Sequence, residues 1–311
     1  MINFIMQKLL IIITLISSLY SSDLISPIPT NEDYDINKAL LGKKLFHEKR
    51  LSVDNTISCA SCHIITEGCD DNRKFSIGVN NKKGNVNSPT VLNSRYNLSQ
   101  FWDGRAKDLK EQALGPIHNP LEMNNDFKNI ISKLKNDDYY KNAFKIYKDG
   151  MTQDNILDAI VEFEKALVTP HSKFDRYLLG DKDILSTEEK EGFELFKDYG
   201  CISCHNGVNI GGNLYQKMGI IKEYKIKSGN LGRYNVTKNE EDKYYFKVPT
   251  LRNIEHTSPY MHDGSEENLK ETIKVMIEYQ VGIIPTDEEI YKIELFLKTL
   301  NGNTPVIMVD E

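Results

Sequence analysis

Cys59-Ala60-Ser61-Cys62-His63 and Cys201-Ile202-Ser203-Cys204-His205 carry four of the chain's five cysteines in one repeated spacing. Cys-x-x-Cys-His is the attachment pattern of a c-type haem. Two thiols one turn apart each form a thioether with a haem vinyl group, and the adjacent histidine lies beneath the porphyrin and binds its iron. A thioredoxin-like redox pair shares the cysteine spacing but does not explain a histidine directly after both copies; a zinc site made of both pairs is the remaining alternative. Two covalent c-type haems are therefore expected, one on Cys59, Cys62 and His63, the other on Cys201, Cys204 and His205. Cys69 stands outside the motif and reads as a partly buried, inert thiol.

A helix is predicted to run into each motif, over 40–46 and 187–197, the second opened by a Ser186/Glu189 capping box. The motifs lie 142 residues apart (201 − 59), so the chain repeats its plan once. Further helices are expected over 126–147, 152–167, 268–280 and 287–300. Thr152 serves as an N-cap and Pro170 as a stop. A helical turn over 109–114 is expected to end at Gly115-Pro116. Residues 80–89 and the Gly-rich 207–232 read as loops, and 169–183 as the linker between halves. A length of 311 residues suits two domains.

A hydrophobic fraction of 40%, 27% charged residues and a mean hydropathy of -0.46 exclude a polytopic membrane protein and a disordered chain. The net charge of -6 argues against nucleic-acid binding and suits a basic protein partner. Residues 1–22 hold one charge, Lys8, then an apolar run from Leu9 to Leu19 and a polar end. That pattern is a signal peptide, with an uncleaved anchor as the alternative. Work outside the cytoplasm follows.

An iron with histidine on one face needs a stated fate for the other: a methionine suits electron transfer, an open face suits oxygen or peroxide chemistry. Met218, Met261, Met276 and His262 are the candidates in the second half, and pattern alone does not choose between Met276 and Met261. In the first half stand Trp102, the single tryptophan, and Glu122 in a loop stiffened by Gly115, Pro116 and Pro120. A carboxylate held there could shuttle a proton; taken alone, Glu122 reads first as a solvated surface acid and Trp102 as a core aromatic.

The stretches LGKKLFHEKRLS, CASCH, NSPTVLN, QFWDGRA, EQALGPIHNPLEM, TPHSKFDRYLLGD, CISCHNG, FKVPTLRNIEHTSPYMHDGS and LKETIKVMIEYQVG, in that order from Leu41 to Gly282, resemble the bacterial di-haem cytochrome c peroxidases, a family that includes MauG-type enzymes. The resemblance implies a mainly α fold of two cytochrome-c-like domains, each with one covalent haem. The peroxidatic domain would span 23–175 and the electron-transfer domain 176–311. His63 and His205 become the proximal ligands and Met276 the distal ligand of the second iron. Met261 falls where MauG-type enzymes carry tyrosine. Glu122 matches the catalytic acid/base, and Trp102 the aromatic between the haems. His262 matches a hydrogen-bonding position near the second haem. A calcium ion would take the Asn87 side chain and the Thr257 and Pro259 carbonyls, hard oxygen ligands of the kind it prefers.

One departure stands out. Many members carry a histidine after the first motif that caps the peroxidatic iron until the other haem is reduced. Val79 occupies that position, and valine has no lone pair. The expected activity is periplasmic reduction of hydrogen peroxide to water, with electrons from a small cytochrome c or cupredoxin, by a homodimer. The rivals are a MauG-like oxidase and a non-enzymatic di-haem electron carrier. The carrier needs both irons six-coordinate, and the sequence offers the first no obvious second ligand.

Overall fold

Residues 24–309, apart from positions 32, 67 and 227, are described by the computed structural model; the predicted signal segment, 1–22, lies outside the described residues. The main helices are α1 (Ile36–Phe46), α2 (Leu109–His118), α3 (Phe127–Leu134), α4 (Gln153–Ala166), α5 (Thr187–Asp198), α6 (Leu269–Met276) and α7 (Asp287–Lys298). Two three-residue strands, β1 (Tyr215–Lys217) and β2 (Tyr245–Lys247), pair antiparallel with Tyr215 opposite Lys247. The chain is thus mainly helical. Among the described residues no helix is long and apolar enough to cross a membrane.

The duplication is visible in packing. α1 crosses α4, and α5 crosses α7. Each crossing has a glycine at its centre. A Cβ on Gly42 would overlap the Ala159 carbonyl oxygen, and one on Gly192 the Lys292 carbonyl oxygen. Phe163 and Phe296 flank these contacts. In each half the same aromatic ladder leads on to the motif histidine. Phe163, Phe46 and His63 follow one another at 5.2 and 6.3 Å, and Phe296, Phe196 and His205 at 5.1 and 6.5 Å.

The loops repeat as well. Asn93 and Asn253 are both left-handed and both open a 3₁₀ turn. Phe101 and Met261 have φ of 68° and 71°, and the bridges Gln100–Ala106 and Tyr260–Glu266 enclose them. All of these pairs are 160 residues apart (253 − 93, 261 − 101, 260 − 100). Each half also holds the other's terminus: Ile25 packs with Phe174, Phe196 and Phe296, while Ile307 packs with Phe46, Cys69 and Phe163.

Several expectations are corrected. α2 does not stop at Gly115-Pro116; it continues to His118. Proline costs one bond, that to the Gln112 carbonyl, and the carbonyls left open where the helix ends are taken up by the following loop, Pro116 accepting from Met123 N–H and Ile117 from Asn125 N–H. The 126–147 helix is broken at 135–137, where Asp137 caps a new short helix over 138–143. The 169–183 linker contains a helix, Lys173–Leu178, opened by a Ser172/Asp175 capping box. Cys69 is fully buried rather than partly so.

The two glycine crossings generate a prediction. Overpacking a tight helix contact costs typically ~1–3 kcal/mol. Gly42→Ala and Gly192→Ala should each lower the urea midpoint of the holoprotein, whereas Gly150→Ala, where a Cβ meets nothing, should cost less despite its positive φ. Equal midpoints for all three would contradict the crossing geometry.

Candidate functional site

The two Cys-x-x-Cys-His segments adopt one geometry. Residues 59–61 and 201–203 form 3₁₀ turns, and the His63 and His205 amides each donate to the first cysteine's carbonyl at 2.9 Å. Ser58 N–H donates to Ser61 Oγ at 2.9 Å to cap the first turn, and left-handed Gly200 opens the second. All four motif thiols are free and half-buried. Burial pushes Cys62 and Cys201 up to about 11. It also pulls both histidines down, His205 to about 4, so each imidazole is neutral with a lone pair available to a metal. His63 Nδ1 faces the Cys69 carbonyl at 3.2 Å, which fixes the ring when Nδ1 carries the hydrogen. The conformation of Cys69, left-handed at φ 59°, serves this contact through its backbone.

Cys201, Cys204 and His205 open onto a cavity of about 580 Å³. Met276, Met261 and Met218 all reach its wall, together with His262 and Trp102. His262 is buried, stacks on Phe246 at 4.2 Å and meets Trp102 edge-on at 6.4 Å. Its Nε2 lies 3.3 Å from Ser228 Oγ. Trp102 Nε1 donates to the Asn87 carbonyl at 2.9 Å, and the Asn87 amide donates to the His262 carbonyl, also at 2.9 Å. Asn87, Thr257 and Pro259, the residues of the expected calcium site, all line the same cavity. Among the described residues no cluster of three or more His, Cys, Asp or Glu side chains could hold a metal. An exposed groove between α5 and α7 is lined by side chains such as Glu191 and Lys292 and contains no motif residue.

Glu122 belongs to the first half. It is half-buried, and its charge acts on both Cys59 and Cys62. Burial raises its pKa, opposed by the Asn119 amide, which donates to Oε1 at 2.6 Å. It is not a solvated surface acid. Val79 is fully buried, and its amide donates to the Glu122 carbonyl at 2.9 Å. A Cβ on neighbouring Gly78 would overlap the Leu121 carbonyl, so this loop is seated directly on the Glu122 backbone.

Glu164 and Lys247 are buried ionisable groups that sequence reading misses. Glu164 on α4 is buried, its Oε2 has no partner, and burial alone pushes its pKa up to about 8, so it is largely protonated at neutral pH. It sits where an amphipathic helix pattern gives no warning. Lys247 on β2 lines the cavity. Of the other histidines, His118 Nδ1 lies 3.0 Å from the Asn125 carbonyl and His47 Nδ1 2.9 Å from that of Lys43, while His171 and His256 are exposed.

Fold and site together define a helical protein with a duplicated motif turn, a large cavity at one turn and a half-buried acid near the other. Residues 36–183 match the family described as di-haem cytochrome c peroxidase. The chain is 48% identical over 283 residues to cytochrome c551 peroxidase of Nitrosomonas europaea, covering 90% of this chain and 85% of that one. It is 45% identical over 292 residues to cytochrome c peroxidase Ccp of Escherichia coli, covering 92% of this chain; it spans 63% of that longer relative. Among solved structures, a MauG-like protein associated with microbial copper homeostasis superposes with a TM-score of 0.77 at 26% identity, covering 89% of this chain and 93% of the other. The chain belongs to the di-haem cytochrome c peroxidase family, whose cofactors are haems. It is an oxidoreductase of the peroxidase class.

Proposed function

We propose that the chain reduces hydrogen peroxide to water with electrons from a small donor cytochrome c or cupredoxin, as an exported periplasmic homodimer. The observation that carries this is the asymmetry between two otherwise duplicated halves. One motif turn has a half-buried acid with a raised pKa, and the other has methionine thioethers. The greater identity to cytochrome c peroxidases than to a MauG-like protein, with Met261 in place of tyrosine, favours peroxide over MauG-like oxidation.

The residues fit two covalent c-type haems, in an N-terminal domain over 23–175 and a C-terminal one over 176–311. Free thiol pairs and neutral buried imidazoles stand at both turns, and the second has a cavity for a large flat group. Cys59, Cys62 and His63 would hold the first haem; Cys201, Cys204, His205 and Met276 would hold the second. When bound, the haems supply stored electrons and cleavage of the peroxide bond. Glu122 would take a proton from the near oxygen of peroxide and return it to the leaving oxygen. Its burial raises the affinity for that proton, and Asn119 steadies Oε1 so that Oε2 carries the exchange. Trp102, bonded to Asn87 and in edge contact with His262, would lie on the electron path between the sites. Calcium bound by Asn87 and the Thr257 and Pro259 carbonyls would brace that junction with neutral oxygens.

Exported protein should carry two haems by mass and turn over peroxide with reduced cytochrome c. Two haems with no peroxide turnover would favour the electron-carrier reading. Glu122→Gln should cut that turnover by about 10²-fold or more with both haem spectra intact. Near-normal turnover would remove Glu122 from the chemistry. Since Val79 cannot cap an iron, the oxidised first haem should give a high-spin ferric paramagnetic resonance signal that shifts on adding cyanide before any reduction. Two low-spin signals, unresponsive until reduction, would show that another side chain supplies the cap.

A further inference from the structure

Lys247 is 7% exposed and lies on the wall of the large cavity. The register of β1 and β2 fixes it there, opposite Tyr215, and its backbone N–H donates to the Trp102 carbonyl at 2.8 Å. Among the described residues its ammonium has no ion pair and no hydrogen-bond partner. The contrast with the other deeply buried cation is direct: Arg252 holds both oxygens of Asp175 and two backbone carbonyls. Among the described residues on the cavity wall, Lys247 is the single lysine or arginine and Asp70 the single acid. Asp70 accepts from the Asn72 amide at 3.2 Å.

Burying an ammonium without a counter-charge costs several kcal/mol, and such a group either neutralises or finds an anion. Burial alone pulls Lys247 down to about 8, with no carboxylate near enough to oppose it. The described residues thus supply no anion for this cation, and the remaining source is whatever fills the cavity. A haem carries two propionates as its only anionic groups.

We propose that the Lys247 ammonium is the counter-charge for a propionate of the haem held by Cys201, Cys204 and His205, and that this pair helps set that haem's reduction potential. The proposal rests on the haem reading of this site. A cation beside the porphyrin disfavours the more positive ferric state, so its removal lowers the potential. The same residue ties β2 to Trp102 through the backbone, so the charge that holds the cofactor's edge also fixes the strand that positions the indole.

Lys247→Met and Lys247→Arg, made in the full exported holoprotein, test this. Haem count is read by mass, potentials by spectroelectrochemical titration and methionine ligation by the near-infrared sulfur-to-iron band. Lys247→Met should keep that band and shift the second haem to a lower potential, while Lys247→Arg stays at the wild-type value. A wild-type potential in Lys247→Met overturns the proposal. Should Lys247→Met lose the second haem, full loading and a wild-type potential in Lys247→Arg support it. Loss from both variants overturns it, because the site then requires lysine's shape rather than its charge. A wild-type chain with no haem at Cys201 and Cys204 is a separate failure, that of the haem reading, and is seen before any variant is made.

Discussion

Arg252 is the largest fully buried side chain among the described residues, and its guanidinium holds the molecule's separate segments at one point. It donates to both oxygens of Asp175 at 2.9 and 3.2 Å, to the Val208 carbonyl at 2.6 Å and to the Ser26 carbonyl at 3.0 Å. Asp175 in turn accepts from the Ile28 and Ser172 amides. Burial lowers the Arg252 pKa while the Asp175 charge opposes it, and a guanidinium stays charged at any working pH. Breaking such a pair from one side costs ~3–5 kcal/mol, because the other charge is left buried. The leader at Ser26 and Ile28, the junction helix 173–178 and the loop before the second 3₁₀ turn are therefore set together. Next to this pair, Thr169 Oγ1 accepts from Asn93 and Asn253, the equivalent asparagines of the two halves. The halves meet on their own repeated element.

The duplicated frame makes the differences between halves informative. Aromatic ladders, glycine crossings and motif turns recur, so they belong to holding a common group. What does not recur belongs to what each half does with it. Phe101 and Trp102 in the first half face Met261 and His262 as their equivalents in the second, and Trp102 and His262 touch edge to face. Repetition thus brings the unequal pair to the junction of the halves. Glu122 in the first half comes from the loop after α2, and Met276, one of three methionines on the cavity wall, is the last residue of α6, just before the π turn Ile277–Val281.

The motif turns, the helices that lead into them and the residues around the cavity were legible in the sequence because each rests on local spacing. Cys-x-x-Cys-His needs five residues, and the Ser186/Glu189 box needs four. The misreadings arise from contacts that spacing alone does not show. Pro116 looks like a stop, but α2 continues past it to His118, and Met123 and Asn125 close the carbonyls at its end. Residues 169–183 look like a linker until Asp175 meets Arg252, 77 positions on. Nothing in the local sequence marks Lys247; it is buried where its backbone N–H meets the carbonyl of Trp102, 145 residues earlier (247 − 102). Charge burial of this kind is a tertiary property, and neither periodicity nor composition carries it.

The loop around Val79 shows how a substitution that removes a ligand can be structurally complete. In place of an imidazole there is a fully buried isopropyl group, stabilised by the transfer of apolar surface out of water. Its amide is satisfied by the Glu122 carbonyl, and Lys82 Nζ donates to the Pro120 carbonyl at 3.2 Å. Gly78 then allows the two backbones to approach more closely than any side chain would permit. The loop is thus fastened to the segment that carries the acid. Moving it would expose Val79, leave the Glu122 carbonyl unpaired and disturb the position of the Glu122 carboxyl with its Asn119 bond. A capping loop has to leave for peroxide to enter, whereas this loop contributes most when it stays. Under the proposed function, a loop that lacks an iron-binding side chain and is bonded to the Glu122 backbone would leave the first site unlocked while holding Glu122 in place.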